Sequence, residues 1–395
     1  MKSEHYFDWA ATAPADQEIQ KAAFDFSLEH WANPSSQHFY GTEERKCLES
    51  ARERCASAME VKPEQLFFTS GGTESDHIPL LSVLTRPQKG SVIITGIEHP
   101  ALREMANNIQ LCGWKVISLA PDRNGFISAQ SIEEKLEADT AFVAVMAVNN
   151  ETGAIQPIYE IADMLTRVGK TKRKPFFHVD CVQAAGKIPL DISYPGIDSA
   201  AFSAHKLGGP RGIGLLYLAK AITPFLRGGG QEKNIRSGTE NLFGAEAMAL
   251  CMEKYYMTKK AEEKNPVMYK KFLEQQTLTS QFVEALRTIE GCTVIPHTRG
   301  QEVPDENFSP WIVQAAFKGI PGQVMVRAMS ADGYYISTGS ACSAAKASRP
   351  ILDAMKVSPE EKETAVRFSF GSSTTTKAMK ELFDEAVFLS AKFMH

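Results

Sequence analysis

Between residues 66 and 218 the chain alternates short, continuous apolar runs with longer amphipathic stretches. Strands that are apolar on both faces need cover on both sides, and parallel strands need crossover connections that are usually helices. The pattern therefore predicts an α/β fold with a mainly parallel central sheet flanked by helices. The runs assigned to strands are LFFT (66–69), SVIIT (91–95), KVISL (115–119), FVAVMAV (142–148), PFFHV (175–179), SAAFS (199–203) and GIGLLYL (212–218).

A different pattern begins at about residue 240. Long helices are predicted over 240–260, 266–289 and 376–391, an irregular loop over 301–310, and short strands at CTVIP, WIVQAAF, GYYIST and VRFSF. We therefore predict a second, smaller α+β domain. The large domain is expected over 16–260, and the small domain over 1–15 and 261–395, in line with two or three domains for a chain of 395 residues.

Charge and composition exclude several classes of protein. Lys plus Arg is 43 and Asp plus Glu is 47, so the net charge of −4 argues against nucleic acid or an anionic membrane as the main partner. The longest apolar run, AFVAVMAV, is far shorter than the roughly 20 residues of a membrane span. The seven cysteines include no C-x-x-C pair, so we expect neither a disulfide framework nor a metal centre. With no apolar signal segment at the N-terminus, a reducing, cytoplasmic location is expected.

Polar residues follow several of the predicted strands, at the edge where open α/β sheets bind ligands. The segment SGGTES (70–75) places backbone N–H groups at a helix start, which makes either a phosphate site or a plain helix cap. His99 follows the second strand and Asn150 lies in the turn after the fourth. Each of these two residues, taken alone, also fits a structural role.

Two further strand ends carry ionisable residues. Asp180 follows the run PFFHV, where a carboxylate is costly unless it is paired or well hydrogen-bonded, or caps a helix. Lys206 follows SAAFS beside a glycine-rich loop, either as a desolvated nucleophile or as a solvated loop lysine. Together the strand ends offer what a pyridine cofactor with a phosphate arm needs: phosphate donors, an acid for the ring nitrogen and an amine for the aldehyde.

An ordered set of motifs covers almost the whole chain. The motifs are YFDWAATAP (6–14), NPSSQHFYG (33–41), FTSGGTESD (68–76), EHPA (98–101), NNETG (149–153), HVDCVQAAGK (178–187), SAHKLGGPRGIG (203–214), GGGQEKNIRSGTEN (228–241), STGSACS (337–343) and VRFSFGSSTT (366–375). With these motifs the sequence resembles the cysteine desulfurases of the NifS/IscS type, in the class V aminotransferase family of fold-type-I pyridoxal phosphate enzymes. The resemblance implies pyridoxal 5′-phosphate (PLP) as cofactor.

The resemblance also implies a role for each matching residue. Lys206 is implied as the Schiff-base lysine, Cys342 as the persulfide-forming cysteine and Arg367 as the grip on the substrate carboxylate. Either His99 or the substrate imine would take the thiol proton. The other implied roles are Asp180 on the pyridine nitrogen, His99 stacked on the ring, Gln183 on the ring oxygen, Gly72, Thr73, Ser203 and His205 at the phosphate, Asn150 near the ring oxygen and the substrate, Asn33 near the carboxylate pocket, and Thr239 reaching the phosphate of the other subunit.

The implied activity converts L-cysteine to L-alanine and transfers the sulfur to Cys342 as a persulfide. The persulfide would pass to an acceptor or scaffold protein in iron–sulfur cluster, thio-cofactor or thio-tRNA biosynthesis, and a homodimer is implied. The alternatives are another PLP enzyme of this fold, such as a selenocysteine lyase or an aminotransferase, and a catalytically silent sulfur-transfer scaffold. The family's arginine after RFS-x-G is replaced by Ser372, and the lysine motif and the tail after STGSACS also differ, which leaves the acceptor open.

Overall fold

The computed structural model describes residues 3–339 and 349–393. In that part of the chain, the strands form a seven-stranded sheet and a three-stranded sheet. The strands are β1 (Leu66–Thr69), β2 (Ser91–Thr95), β3 (Lys115–Leu119), β4 (Thr140–Ala144), β5 (Phe176–Asp180), β6 (Ser199–Ser203), β7 (Gly214–Leu218), β8 (Cys292–Ile295), β9 (Ile312–Phe317) and β10 (Ala365–Ser369). The helices are α1 (Gln17–Glu29), α2 (Phe39–Met59), α3 (Gly72–Leu81), α4 (Pro100–Leu111), α5 (Ala129–Glu133), α6 (Ile158–Val168), α7 (Leu242–Tyr255), α8 (Ala261–Lys264), α9 (Pro266–Leu286), α10 (Gly322–Ala331), α11 (Pro350–Ala354), α12 (Pro359–Thr364) and α13 (Thr376–Phe393).

The large sheet has the strand order β1-β7-β6-β5-β4-β2-β3. Its strands pair in parallel from β3 through to β6, and β7 is antiparallel to both β6 and β1. Because β1 and β6 both run opposite to β7, they run in the same direction. The carboxyl ends of β1, β2, β4, β5 and β6 therefore meet at one edge, and the predicted α/β fold with a mainly parallel sheet is confirmed.

The apolar strands of this sheet are covered on both faces. In β2, Ile93 belongs to the main apolar core, while its neighbours Val92 and Ile94 belong to a second cluster with α4. In β4, Val143 belongs to the main apolar core and Phe142 belongs to the second cluster. Successive side chains of a strand point to opposite faces, which explains why these strands read as continuous apolar runs rather than as alternating ones.

The small sheet is antiparallel and has the order β10-β9-β8. Phe282 of α9 packs edge-on against Phe368 of β10, with ring centroids 5.4 Å apart. This confirms the smaller α+β region, although the domain boundaries at residues 15 and 260 stay a prediction.

The strand predicted at GYYIST is wrong. Tyr335 and Ser337 form only single bridges, to Tyr6 and Arg367, because the segment meets two different partners instead of one continuous edge. Another single bridge, between Asp8 and Ser369, holds the N-terminal segment beside the small sheet.

The other predicted elements agree with the structure apart from a few residues at their ends. The run 142–148 extends beyond β4, and its backbone still donates to β5 from Val145 and Ala147, at 3.2 and 2.8 Å. The segment 301–310 is irregular except for a single 3-10 turn at Asp305–Asn307. Within the described part of the chain, no helix combines the length and the apolar character that crossing a membrane requires.

Candidate active site

A cavity of about 230 Å³ lies at the carboxyl ends of the large sheet. Ten of the thirteen residues predicted for the site line it, namely Gly72, Thr73, His99, Asn150, Asp180, Gln183, Ser203, His205, Lys206 and Arg367. The lining is completed by Ala10, Ala11, Asp76, Met146 and Val182. The fold therefore gathers strand-end residues that are more than a hundred positions apart in the sequence.

One end of the cavity is built for an anion. Gly71 precedes α3 with a φ of 153°, which favours glycine, and it offers no side chain to cap the first N–H groups of the helix. A Cβ at Gly72 would lie 2.7 Å from Cγ2 of Val182, so only glycine lets the backbone approach there. Uncapped N–H groups at a helix start attract negative charge, and the hydroxyls of Thr73 and Ser203 line the same cavity.

The two histidines of the cavity are neutral near pH 7. Burial, and then the charge of Lys206, lower the pKa of both His99 and His205 to about 4. Nδ1 of His99 accepts the backbone N–H of Ala101 at 3.2 Å, which leaves that nitrogen unprotonated. Nδ1 of His205 lies 3.1 Å from Oγ1 of Thr12. A neutral imidazole held by such contacts is suited to lie flat against the aromatic ring of a ligand.

Lys206 closes a short 3-10 turn directly after β6. Its Nζ donates to the carbonyl oxygens of Ala10 and Ala11, at 2.5 and 2.7 Å. Nε2 of Gln183 donates to the same Ala10 oxygen at 2.9 Å. The N-terminal segment thus forms part of the site, which sequence reasoning missed because a backbone carbonyl carries no residue-type signal.

Asp180 is the last residue of β5 and is buried. One carboxylate oxygen accepts the backbone N–H of Val182 at 2.9 Å. Burial, and then the nearby Asp76, raise the pKa of Asp180 to about 7. Burial likewise raises the pKa of Glu98, which lies next to His99 in the chain, to about 8. The site therefore holds buried carboxyl groups that a neighbouring cation would stabilise in their charged form.

Sequence reasoning also missed a buried pair behind Asp180. Nε2 of His178 lies 3.0 Å from Oδ1 of Asp76, and its Nδ1 lies 2.7 Å from Oγ of Ser199. Burial lowers the pKa of His178 to about 4 and raises that of Asp76 well above its usual range. No local pattern signals this pair, because Asp76 and His178 stand 102 positions apart and meet only through packing.

The opposite side of the cavity comes from the small sheet. Arg367 of β10 is buried and donates from Nη1 to the carbonyl oxygen of Asn150 and from Nη2 to Oδ1 of Asp8, both at 2.8 Å. Among the described residues, Nε of Arg367 and Oδ1 of Asn150 have no hydrogen-bond partner although both atoms are buried. Unpartnered buried polar atoms facing one cavity indicate a polar ligand there.

Two of the predicted site residues lie outside this cavity. Asn33 is exposed, and its Oδ1 accepts the backbone N–H of Ser35 at 2.8 Å. Thr239 is exposed as well, and neither residue lines the cavity of the single chain. Cys342 lies outside the described residues. Ser337, five positions before it, is bridged to Arg367 at the cavity.

A lysine, a buried aspartate and an anion-binding helix start around one cavity at the strand ends define an α/β enzyme of the fold-type-I class. The family model for class-V aminotransferases matches residues 5–382, and the chain belongs to that family. It is 34% identical over 390 residues to the cysteine desulfurase IscS of Dictyoglomus turgidum, covering 97% of this chain and 94% of the relative. It is also 34% identical over 385 residues to a putative cysteine desulfurase, IscS 1, of Bacillus subtilis, covering 95% of each chain. A solved NifS-like protein superposes with a TM-score of 0.85 at 32% identity, covering 98% of this chain and 99% of the other.

PLP is the cofactor of this family, and the cavity fits it. The uncapped helix start after Gly71 suits a phosphate, and the buried Asp180, whose pKa is raised to about 7, suits a hydrogen bond from a protonated pyridine nitrogen. The amine of Lys206 lies in the same cavity. The predicted family and cofactor are confirmed.

Proposed function

We propose that the chain is a PLP-dependent cysteine desulfurase, which removes sulfur from L-cysteine and releases L-alanine. The observation that carries this proposal is the convergence of Lys206, Asp180 and Arg367 on one cavity. An amine, an acid for the ring nitrogen and an arginine for a carboxylate are the groups that amino-acid chemistry on PLP requires. The names of the relatives at 34% identity support cysteine as the substrate.

The cavity residues would hold the cofactor in one orientation. Lys206 would bind its aldehyde carbon, and Asp180 would keep its ring nitrogen protonated. Gln183 would donate to the ring oxygen, and His99 would lie against the ring face. Gly72, Thr73, Ser203 and His205 would bind the phosphate. When bound, PLP withdraws electrons from the substrate α-carbon.

Arg367 would orient the substrate. Among the described residues its Nε has no partner, while both Nη atoms are engaged by Asn150 and Asp8, so the guanidinium is held in position before a ligand arrives. A bidentate grip on a carboxylate needs the planar guanidinium fork. The unpartnered Oδ1 of Asn150 would accept a hydrogen bond near the ring oxygen and the substrate.

Lys206 would accept the proton from the substrate α-carbon, because its amine is the basic group that lines the cavity beside Asp180. The Cys342 sulfur, as thiolate, would then attack the substrate sulfur. The S–S bond forms as the C–S bond breaks, and the electron pair left on carbon is protonated to give alanine. His99, whose pKa is lowered to about 4, would be available in its neutral form to accept the thiol proton.

Chain connectivity supports Cys342 in this role. Ser337 is bridged to Arg367 through Arg367 N to Ser337 O, at 2.6 Å. Five residues of extended chain span at most about 18 Å, so the chain after Ser337 is long enough to bring a side chain at position 342 to the cavity.

The remaining assignments are part of the same proposal. We infer a homodimer in which Thr239 serves the partner's phosphate, because Thr239 is exposed and does not line the cavity of one chain. The resemblance to the family places Asn33 near the substrate pocket. The proposal also includes a large domain over 16–260 and a small domain over 1–15 and 261–395. It further includes a cytoplasmic location and an acceptor or scaffold protein for the sulfur.

The decisive experiment separates sulfur transfer from cofactor chemistry. The holoenzyme Cys342→Ala should keep its visible absorbance and respond spectrally to L-cysteine, but should form neither alanine nor protein persulfide. Cys112→Ala, at an exposed cysteine, is the matched control and should behave as wild type. Alanine release by Cys342→Ala at the wild-type rate would contradict a persulfide mechanism and favour a lyase or an aminotransferase, and the same assay with selenocysteine would distinguish these two.

A further inference from the structure

Outside the active site, a histidine, a glutamate and a cysteine meet between the first two helices. His30 ends α1, and Glu44 and Cys47 lie three residues apart on α2. Their ligand atoms, Nδ1, a carboxylate oxygen and Sγ, all lie within 4.8 Å of one another. We infer that these three side chains form a binding site for a divalent transition metal of the zinc class.

The distances fit tetrahedral coordination. Nδ1 of His30 lies 3.2 Å from Oε2 of Glu44 and 3.4 Å from Sγ of Cys47. With ordinary zinc–ligand lengths, the edges of a tetrahedron are about 3.3 Å between N and O and about 3.6 Å between N and S. Both distances from Nδ1 therefore match a tetrahedral site to about 0.2 Å, and the Glu44 oxygen and the Cys47 sulfur, which lie within 4.8 Å of each other, would need to approach by at most about 1.2 Å.

The same atom of His30 faces both other ligands, and without a cation their demands conflict. If Nδ1 carries a hydrogen it can donate to Glu44, but the lone pairs of the Cys47 sulfur then face that N–H only as a weak acceptor. If Nδ1 is unprotonated it can accept the thiol hydrogen, but its lone pair then faces a carboxylate at 3.2 Å. A metal ion accepts electron pairs from all three atoms at once.

The surroundings hold the ligands in place. The side chain of Glu44 is 4% exposed and that of His30 is 30% exposed, so the cluster lies at the edge of the core with access from solvent. The His30 ring stacks on Phe26 with centroids 4.2 Å apart, which fixes its orientation. This stacking keeps Nδ1 of His30 directed at Glu44 and Cys47.

The donor set selects the metal class. One thiolate, one imidazole and one carboxylate are ligands of zinc and of neighbouring first-row ions, whereas calcium and magnesium prefer oxygen alone. Three protein ligands leave a fourth position for water. On binding, the Cys47 thiol loses its proton to solvent, and no electron is transferred.

A metal here would fasten the loop 31–38, since His30 precedes it and Glu44 and Cys47 follow it. That loop carries Asn33, which we place near the substrate pocket. The metal site itself does not rest on the proposed desulfurase activity, so either proposal can fail without the other.

The test uses the holoenzyme carrying Cys342→Ala, which removes the thiol of the proposed active site as a competing ligand. The protein is dialysed against buffered micromolar Zn²⁺, its metal content is measured by mass spectrometry, and its ligands by zinc K-edge absorption. We expect one zinc per chain with one sulfur ligand, and release of protons on binding. Cys47→Ser, His30→Gln and Glu44→Gln, each in this background, should weaken binding at least about 100-fold, since even outer-shell changes cost 10–100-fold.

Cys112→Ser, at an exposed cysteine, is the matched control and should bind zinc unchanged. PLP absorbance and thermal unfolding show whether each variant is folded. Because the three ligands are substituted separately, the test still decides if one of the variants does not fold. The proposal is overturned if no zinc is bound at micromolar free metal, if the absorption edge shows no sulfur ligand, or if Cys47→Ser binds as well as its parent.

Discussion

The two sides of the active-site cavity are built in different ways. One side, which we call the floor, consists of the strand-end residues of the large sheet, chiefly His99, Asp180 and Lys206. The other side, the wall, is Arg367 from β10 with its partner Asp8. The floor follows from local order along the chain, because each residue stands directly after its strand. The wall joins residues 359 positions apart, so it exists only when the small sheet docks.

The floor and the wall also differ in their electrostatics. Burial raises the pKa values of the floor carboxyls Asp180 and Glu98, so without a cation these groups resist ionisation. The wall arginine is already paired with a carboxylate at 2.8 Å. The floor therefore depends on a positively charged ligand to stabilise its carboxylates, whereas Arg367 of the wall already has its counter-ion in Asp8. Substitutions in the floor and substitutions in the wall should therefore impair different properties of the enzyme.

The largest expected effect is on the floor. Lys206→Ala should abolish turnover and the visible absorbance of lysine-bound cofactor, because no other amine is proposed for the cofactor aldehyde. Spectra and alanine release from L-cysteine measure both properties, with the exposed Lys220→Ala as control. Residual alanine formation by Lys206→Ala above that of a blank would show that the floor was assigned wrongly.

The next effect concerns the pH dependence of stability without cofactor. The pKa of Asp180 is raised from 3.8 to about 7, so the folded state holds this proton more tightly than the unfolded state. Stability is therefore lost as pH rises from about 4 to about 7, by up to about 4 kcal/mol. In cofactor-free protein, Asp180→Asn should gain stability relative to wild type over that range, measured by urea unfolding. An Asp180→Asn effect that does not change with pH would refute a buried, uncompensated carboxyl.

A substitution in the wall should cause a smaller loss of activity, which affects the use of the substrate and not the binding of PLP. Arg367→Lys should keep its PLP but lose about 10- to 100-fold in kcat/KM for L-cysteine, because a charged hydrogen bond contributes about 1.5–3 kcal/mol and an ammonium cannot bind bidentately. Steady-state kinetics test this expectation, with the exposed Arg123→Lys as control. Loss of PLP from Arg367→Lys would instead mean that the wall supports the cofactor.

The smallest effect is expected within the floor itself. Asp76 lies close to Asp180, and burial raises the pKa of Asp76 well above its usual range. Asp76→Asn preserves the size of the side chain and its contact with His178, and no bond from Asp76 to the cofactor is proposed, so turnover should change by less than about threefold. A loss of turnover in Asp76→Asn well beyond threefold, measured by alanine release, would show that the floor needs the carboxyl group of Asp76.

Much of the fold was predictable from local pattern. Strands such as Ser91–Thr95 and Ser199–Ser203 match apolar runs residue for residue, because both faces are buried. The strand predicted at GYYIST was wrong. The composition of a segment indicates that it can form a strand, but not that the edge of a neighbouring strand lies beside it to pair with. Nine of the ten cavity residues could be found for a related reason: they stand at or just after strand ends, and strand ends of a parallel sheet converge. Arg367, in the middle of β10, was implied only by the resemblance to the family.

Other parts of the site could not be predicted this way. The carbonyl oxygens of Ala10 and Ala11, which bind Lys206, belong to residues with no chemical signature. The pairing of Asp76 with His178 joins residues 102 positions apart. Such contacts depend on how α3 and the N-terminal segment pack on the sheet, and not on any local pattern.

The cysteines show the same division. From spacing alone, the absence of C-x-x-C predicted no metal centre, whereas the fold brings His30, just after α1, beside Cys47 of α2, 17 residues away. The sequence by itself determined the apolar runs, the strand-end chemistry and the family, because these are encoded by neighbours in the chain. Only the tertiary structure decided which side chains share a space, how burial shifts the pKa values of Asp180 and Asp76, and where Arg367 finds its partner. Desolvation and pairing are properties of packed surroundings, which are assembled from distant parts of the chain.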